Sequence, residues 1–245
     1  MDGIPLALEL AAARVRVLSL EQILARLDDS FRLLVGGSRV APTRQQTLRA
    51  ALDWSDALLI TGERALFHRL AVFAGEFHLD AVETVCADVT LPATDILDIL
   101  TRLVDKSLVM VTQDEQRAWY RLLEPVRQYA LQGLTASGEW GKVEAFHANY
   151  YLLLVEQVMP PLYGSVEDIW LARLEREQGN LRAALHWAEE AVEADIGLRL
   201  ATALVPFWEA HGHLAEGRRW LQAMLALPTD AVEPALRMRA LAGAG

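Results

Sequence analysis

Apolar positions recur at helical spacing over most of this chain, and the period changes once. Ile96, Ile99, Leu100, Leu103 and Val104 share one helix face, the i, i+3, i+4 pattern of a half-buried helix. The same reading predicts helices over 4–17, 45–58, 62–74, 78–87 and 93–106. Ser19 and Gln22 form a capping-box pair ahead of a short helix that ends near Leu27. Then β-rich runs appear. Ser107 to Val111 and Trp119 to Leu123 flank a polar turn, Gln113 to Arg117, which predicts a β-hairpin. From residue 139 the helical period returns, with helix starts near Ser165, Asn180, Gly197, His213 and Val232.

Element order suggests two architectures. Three helices followed by a hairpin is the order of a winged helix, with 93–106 in the recognition position. In the later half, helix pairs recur at roughly 32 to 35 residues, close to the tetratricopeptide period. There Leu181, Ala184, Leu185, Ala188 and Val192 make a packing stripe, and the small Ala183 and Ala184 allow close helix approach. Gly36-Gly37-Ser38 reads as a boundary loop. The expectation is a mainly α chain in three parts: a helical remnant over 1–35, a winged helix over 36–138 with one small hairpin, and antiparallel tetratricopeptide-like pairs over 139–245. Both ends read as cut. Gly3-Ile4-Pro5-Leu6 already starts a helix, and the apolar pattern from Leu236 to Gly245 stops without a partner.

Charge sharpens this picture. Apolar residues make up 53% and charged ones 23%, the balance of a folded domain, and the net charge is −10. From Glu76 to Leu100 the chain carries Glu76, Asp80, Glu83, Asp88, Asp95 and Asp98 and no Lys or Arg. Pressing that stretch against a polyanion would repel rather than release counterions. Arg102 and Lys106 come only at the end of the predicted recognition helix, so this winged helix is expected to bind protein rather than DNA. Arg39, Arg44 and Arg49 form a basic run, either a solvated linker or a surface docked on a neighbouring domain. Cys86 is the only cysteine, which excludes an internal disulfide and suits a reducing cytoplasm. No signal-peptide pattern opens the chain, and the longest apolar run, near Leu198 to Trp208, is interrupted by Arg199 and Pro206. A cytoplasmic location without a membrane partner follows as the expectation.

Catalytic patterns are missing. No G-x-x-x-x-G-K-S/T loop exists to cradle a phosphate, and neither lysine, Lys106 nor Lys142, follows a glycine-rich loop. No G-x-S-x-G elbow occurs. His211 and His213 are the one tight histidine pair, too few for a metal site, and read as a turn between helices. Asp28-Asp29 reads as a surface helix end. Glu175, Glu177, Glu189 and Glu190 read as solvated helix faces with partners such as Arg173 and Arg176. Cys86, beside Val82 and Val85, reads as a buried structural thiol, and the seven tryptophans as anchors at helix seams. No catalytic residue and no metal ligand is expected.

Several segments carry a family resemblance. Gly3-Ile4-Pro5-Leu6-Ala7-Leu8-Glu9-Leu10 resembles the G-x-P segment of STAND ATPases, the signal-transduction ATPases with numerous domains. Arg44-Gln45-Gln46-Thr47-Leu48, Glu63-Arg64-Ala65-Leu66-Phe67, Leu103 to Leu108 and Tyr120-Arg121-Leu122-Leu123-Glu124 are similar to the bacterial AfsR-like and LuxR-type regulators of that group. Glu175 to Trp187 and Gly212 to Leu221 look like the helical region before their repeats. The resemblance implies a parent protein that binds ATP or ADP with Mg, in which residues 1–35 end the helical subdomain after a nucleotide-binding domain. It implies Pro5 as an adenine neighbour when that domain is present. Leu122, Leu123 and Glu124 fall where related members carry Met-His-Asp, and leucine cannot donate to a phosphate, so an inter-domain role is all that carries over. The chain itself would hold no cofactor. Its partners would be the parent's nucleotide-binding domain and an inducer, protein or small molecule, on the repeats, with DNA reached only through a further domain. The function implied is a non-catalytic regulatory segment coupling nucleotide state to signal output. The rival readings are a tetratricopeptide-like adaptor without a nucleotide link and a directly DNA-binding winged-helix factor.

Overall fold

The computed structural model describes residues 43–113, 117–158, 167–228 and 232–244. The expected helix over 4–17, Pro5, the Ser19–Gln22 capping box, Asp28-Asp29 and the Gly36-Gly37-Ser38 boundary lie outside these residues. Described elements run α1 (Thr43–Ala57), α2 (Thr61–Arg69), a 3-10 turn (Leu70–Val72), α3 (Leu79–Val85), α4 (Ala93–Asp105), β1 (Met110–Gln113), β2 (Ala118–Arg121), α5 (Glu124–Ala136), α6 (Trp140–Val158), α7 (Glu167–Arg176), α8 (Gln178–Glu190), α9 (Ala194–His211), α10 (Leu214–Leu225) and α11 (Pro234–Ala244). The fold is mainly α, with a winged-helix part followed by packed helix pairs of helical-repeat type.

The chain divides into two compact units. One comprises residues up to Ala71 together with His78–Glu139, and the other comprises Val72–Phe77 with Trp140–Gly245. In the first unit α2 packs on α4 and α5, α3 on α4, and α1 on α5. α4 turns Ile96, Ile99, Leu100 and Leu103 inward, and all four are buried. Removing each such side chain from water stabilises the unit by about 2 kcal/mol. The strands pair antiparallel, with Met110 opposite Arg121 and Gln113 opposite Ala118. His78 ties this hairpin to the helices. Its ring lies 3.6 Å from the Trp119 ring, and its Nδ1 lies 3.0 Å from the Ala118 carbonyl oxygen, so that nitrogen donates.

Two boundaries differ from expectation. The hairpin starts at Met110 rather than Ser107, because Ser107 ends α4 in the left-handed region (φ 57°) and the Leu108 N–H returns to the Leu103 carbonyl at 3.0 Å. The helix expected to reach residue 74 stops at Arg69. The run Leu70-Ala71-Val72-Phe73 is buried throughout, so helical periodicity could not locate the stop, and the chain from Val72 packs in the second unit.

In the second unit α6 packs on α8 and α9, α9 on α10 and α11, and α10 on α11. Arg182 of α8 donates two hydrogen bonds, both 2.6 Å, to Glu216 of α10, 34 residues further on. His186 and Trp220 repeat that offset with rings 4.7 Å apart. Equivalent helices of successive pairs thus meet at equivalent positions, as stacked repeats require. Gly212 closes α9 in the left-handed conformation (φ 73°), so His211 and His213 flank a helix-to-helix turn. Among the described residues no helix is long and apolar enough to cross a membrane.

Candidate functional site: the exposed face of α4

α4 stands third in the winged-helix order, where a recognition helix would sit. Thr94, Leu97, Asp98, Thr101 and Asp105 form its exposed stripe, with Asp95 beside them. Leu97 is 46% exposed. The Thr101 hydroxyl donates to the Leu97 carbonyl at 2.8 Å, so its proton is spent on its own helix.

The two cations of this helix end both bind one buried carboxylate, although the Arg102 side chain itself stays 45% exposed. Arg102 Nε donates to Glu63 Oε1 at 3.0 Å, and Lys106 Nζ donates to Glu63 Oε2. Glu63 is 2% exposed and also accepts the Ile60 N–H at 3.2 Å, capping α2. Burial pushes the Glu63 carboxyl up, but the bonds from Lys106, Ile60 and Arg102 outweigh it and hold it below the ordinary range. The exposed face therefore carries three carboxylates against one partly exposed guanidinium, Arg102, whose charge answers buried Glu63.

Two further cations of this unit bind carboxylates as well. Arg64 pairs with Asp56 at 3.1 Å. Arg69, buried, donates to Glu139 (2.7 and 3.1 Å), to Asp88 (2.7 Å) and to the Cys86 carbonyl (2.8 Å). The Arg69 guanidinium beside Asp88 holds that carboxyl far below the usual range. Cys86 is buried, which pushes its thiol well above the normal value. On the wing Arg117 and Arg121 are exposed.

Leu122, Leu123 and Glu124 join β2 to α5. Leu122 is buried, and Leu123 caps α5 in extended conformation. Glu124 accepts from Arg127 (2.9 and 3.0 Å) and from Gln128 (3.0 Å), so its local partners are on α5. Pro5 lies outside the described residues. One expectation is corrected: Glu177 is not on a solvated face but fully buried, paired with buried Arg173 at 2.9 Å. Helical spacing placed it beside exposed Glu175, and only the α7–α8 turn carries it inside. The helix start expected near Asn180 is there, since α8 begins at Gln178, but the sequence did not show that Asn180 is buried with two backbone partners. The pocket among α8, α9 and α10, lined by Leu181, Leu185, Leu204 and Phe207, is barely large enough for one water. Among the described residues no group of three or more His, Cys, Asp or Glu side chains is placed to hold a metal.

Comparison with known proteins finds a family match for one region. Residues 59–135 match the winged helix-turn-helix domain family. That fold serves binding and regulation rather than catalysis. Over an alignment of 245 positions the chain is 48% identical to a protein of Mycobacterium bovis named as a candidate HTH-type transcriptional regulator, and equally to one of Mycobacterium tuberculosis; the match covers 99% of this chain and 28% of each relative. An uncharacterized protein of Mycobacterium tuberculosis is 52% identical over 151 residues, 61% of this chain and 38% of its own length. The chain thus spans less than a third of the length of the regulators it resembles. No solved structure matches.

Proposed function

We propose that this chain is the winged-helix and helical-array segment of a larger cytoplasmic HTH-type transcriptional regulator. The observation that carries this reading is the winged helix-turn-helix match at 59–135, inside a 48% likeness that runs through the array as well. How the winged helix acts within that regulator turns on α4. Its exposed stripe holds Asp95, Asp98 and Asp105, and its two cations are bound to Glu63. Such a face meets a neutral or basic protein surface at lower electrostatic cost than a phosphate backbone. In this reading the domain relays a signal by protein contact, and the array receives a partner or inducer. The nucleotide-binding partner implied by the STAND resemblance is one form of that relay.

The second reading is direct DNA contact by α4 and the wing. The domain match and the relatives' names favour it over a nucleotide-coupled relay, and the exposed Arg117 and Arg121 favour it locally. Fluorescence anisotropy of the full chain with mixed-sequence duplex DNA separates the two. The protein-contact reading expects no saturable binding at about 50 mM salt, where phosphate contacts are strongest. Saturable binding that weakens steeply with salt, and is lost in an Arg117→Ala/Arg121→Ala variant, establishes the DNA reading instead.

A further inference from the structure

The wing is a sheet of two strands, and its two edges differ. β2 is the inner strand. α3 packs on it, the His78 ring lies 3.6 Å from the Trp119 ring, and His78 Nδ1 lies 3.0 Å from the Ala118 carbonyl oxygen. β1 is the outer strand. Among the described residues its strand partner is β2 alone, and Val111, Thr112 and Gln113 are exposed. In an antiparallel pair alternate residues bond to the neighbour, so the others turn both N–H and C=O away from it. β1 therefore offers backbone donors and acceptors along its outer edge. Such an edge is normally blunted by a charge, a proline or a bulge. Ser107 to Gln113 holds no charged residue, no proline and no glycine. The register from Met110 opposite Arg121 to Gln113 opposite Ala118 runs without a bulge. Charge sits instead on and beside β2, at Arg121 and Arg117. The one protection left to β1 is its length of four residues, which weakens a pairing without preventing it.

The same edge is complementary to itself. Two copies of a strand continue one sheet in antiparallel fashion when a two-fold axis stands normal to that sheet, and each residue then meets one of like parity on the other copy. Like parity satisfies two conditions together. Outward backbone groups meet outward backbone groups, and each side chain keeps to its own face of the sheet. At the axis one residue opposes its own copy. In the middle of β1 that residue is Val111 or Thr112, both β-branched and neither charged. β-branched neighbours across a strand pair stabilise it, whereas a charge at that place would face its own sign.

We propose that β1 is a self-association edge. A second copy of this chain adds its β1 antiparallel to the first, which joins two hairpins into one sheet in the order β2-β1-β1-β2. A four-residue strand falls well short of the roughly 800 Å² per partner of a standard interface, so the dimer is weak and reversible.

Sedimentation velocity of the full chain tests this. The series runs from about 5 µM to about 500 µM, where contacts below standard size dissociate, at about 150 mM salt, which screens the repulsion between chains of net charge −10. The sedimentation coefficient should rise from the monomer towards the dimer value across that range. Val111 is 38% exposed, so a charged side chain there still reaches water and the fold is kept. Val111→Lys and Val111→Glu, each alone, should weaken association at least tenfold, because each sets like charges across the axis. Mixed in equal amounts, the two variants should associate at least tenfold more tightly than either alone, because the opposed charges now attract. Neither misfolding nor a contact on another surface produces that recovery. A chain that stays monomeric throughout overturns the proposal and leaves β1 to a strand from a different protein. A dimer that neither charge weakens, or that mixing fails to restore, equally overturns it.

Discussion

At the scale of single residues the second unit makes two sharp predictions. Gly75 and Gly179 face each other, but only one has room for a side chain. A Cβ on Gly75 would meet its nearest atom at 3.9 Å, an ordinary contact, whereas one on Gly179 would press on the Ala74 carbonyl. Ala normally favours a helix over Gly, and Gly179 lies in the first turn of α8. Gly179→Ala should nevertheless lower stability by about 2 kcal/mol, as overpacking does, while Gly75→Ala stays within about 0.5 kcal/mol; urea melts of the two variants check the asymmetry. His147 makes the second prediction. Burial pulls its pKa down to about 4, with a hydrogen bond to Asn180 opposing only part of the shift. The native state therefore binds this proton less readily than the unfolded chain does. Its contribution is intact above the unfolded value near 6.5 and is lost as pH falls from there towards 4, amounting to about 3 kcal/mol in full. His147→Phe should flatten that acid limb of the stability curve. A curve with the same slope between pH 6.5 and 4 in both proteins would assign the acid sensitivity elsewhere.

At the scale of elements, α4 and α2 are joined through the Glu63 ion group, and its energetics are asymmetric. Removing the buried carboxylate takes the acceptor from Lys106 and from the partly exposed Arg102, which water can still solvate, so Glu63→Gln should destabilise the chain by about 2 kcal/mol, below the range for a pair buried on both sides. Arg182→Ala, which breaks the more exposed α8–α10 pair, should cost less than about 1 kcal/mol. Thermal melts of the two variants at equal ionic strength compare these costs, and a loss for Arg182→Ala as large as that for Glu63→Gln would contradict the ranking. The contrast also shows what the sequence could reveal. α4 and its inward stripe, the hairpin, and helix starts near 180, 197, 213 and 232 were legible because period and turn chemistry are local. The inward turn of Glu177, the ending of α2 at Arg69 and the task of Asn180 were not. Each depends on partners tens of residues away, and spacing along one helix cannot distinguish a buried carboxylate from a solvated one when both occupy polar positions. The acidic character of α4 was legible, but not that Glu63 engages its only cations, since those partners are about 40 residues apart.

At the scale of the whole molecule the question is whether the chain can hold a nucleotide by itself. Binding a triphosphate takes a ring of backbone N–H groups and a cation to offset its charge. The sequence has no phosphate-binding loop, one of its two lysines is bound to Glu63, and the net charge of −10 opposes a polyanion at long range. Leu122 and Leu123 offer only apolar side chains, and Glu124 is engaged by Arg127. A ligand that binds only the native state raises stability by RT ln(1 + [L]/Kd), so even a dissociation constant of about 0.1 mM would stabilise the protein by about 2 kcal/mol at about 5 mM ligand, a shift of a few degrees in melting temperature. The expected outcome is no shift with MgATP or MgADP at that concentration and no phosphate release above a protein-free control. A shift seen with both nucleotides, and lost on Pro5→Ala, would instead place an adenine site in this chain and make its regulatory role that of a nucleotide receptor rather than of a relay.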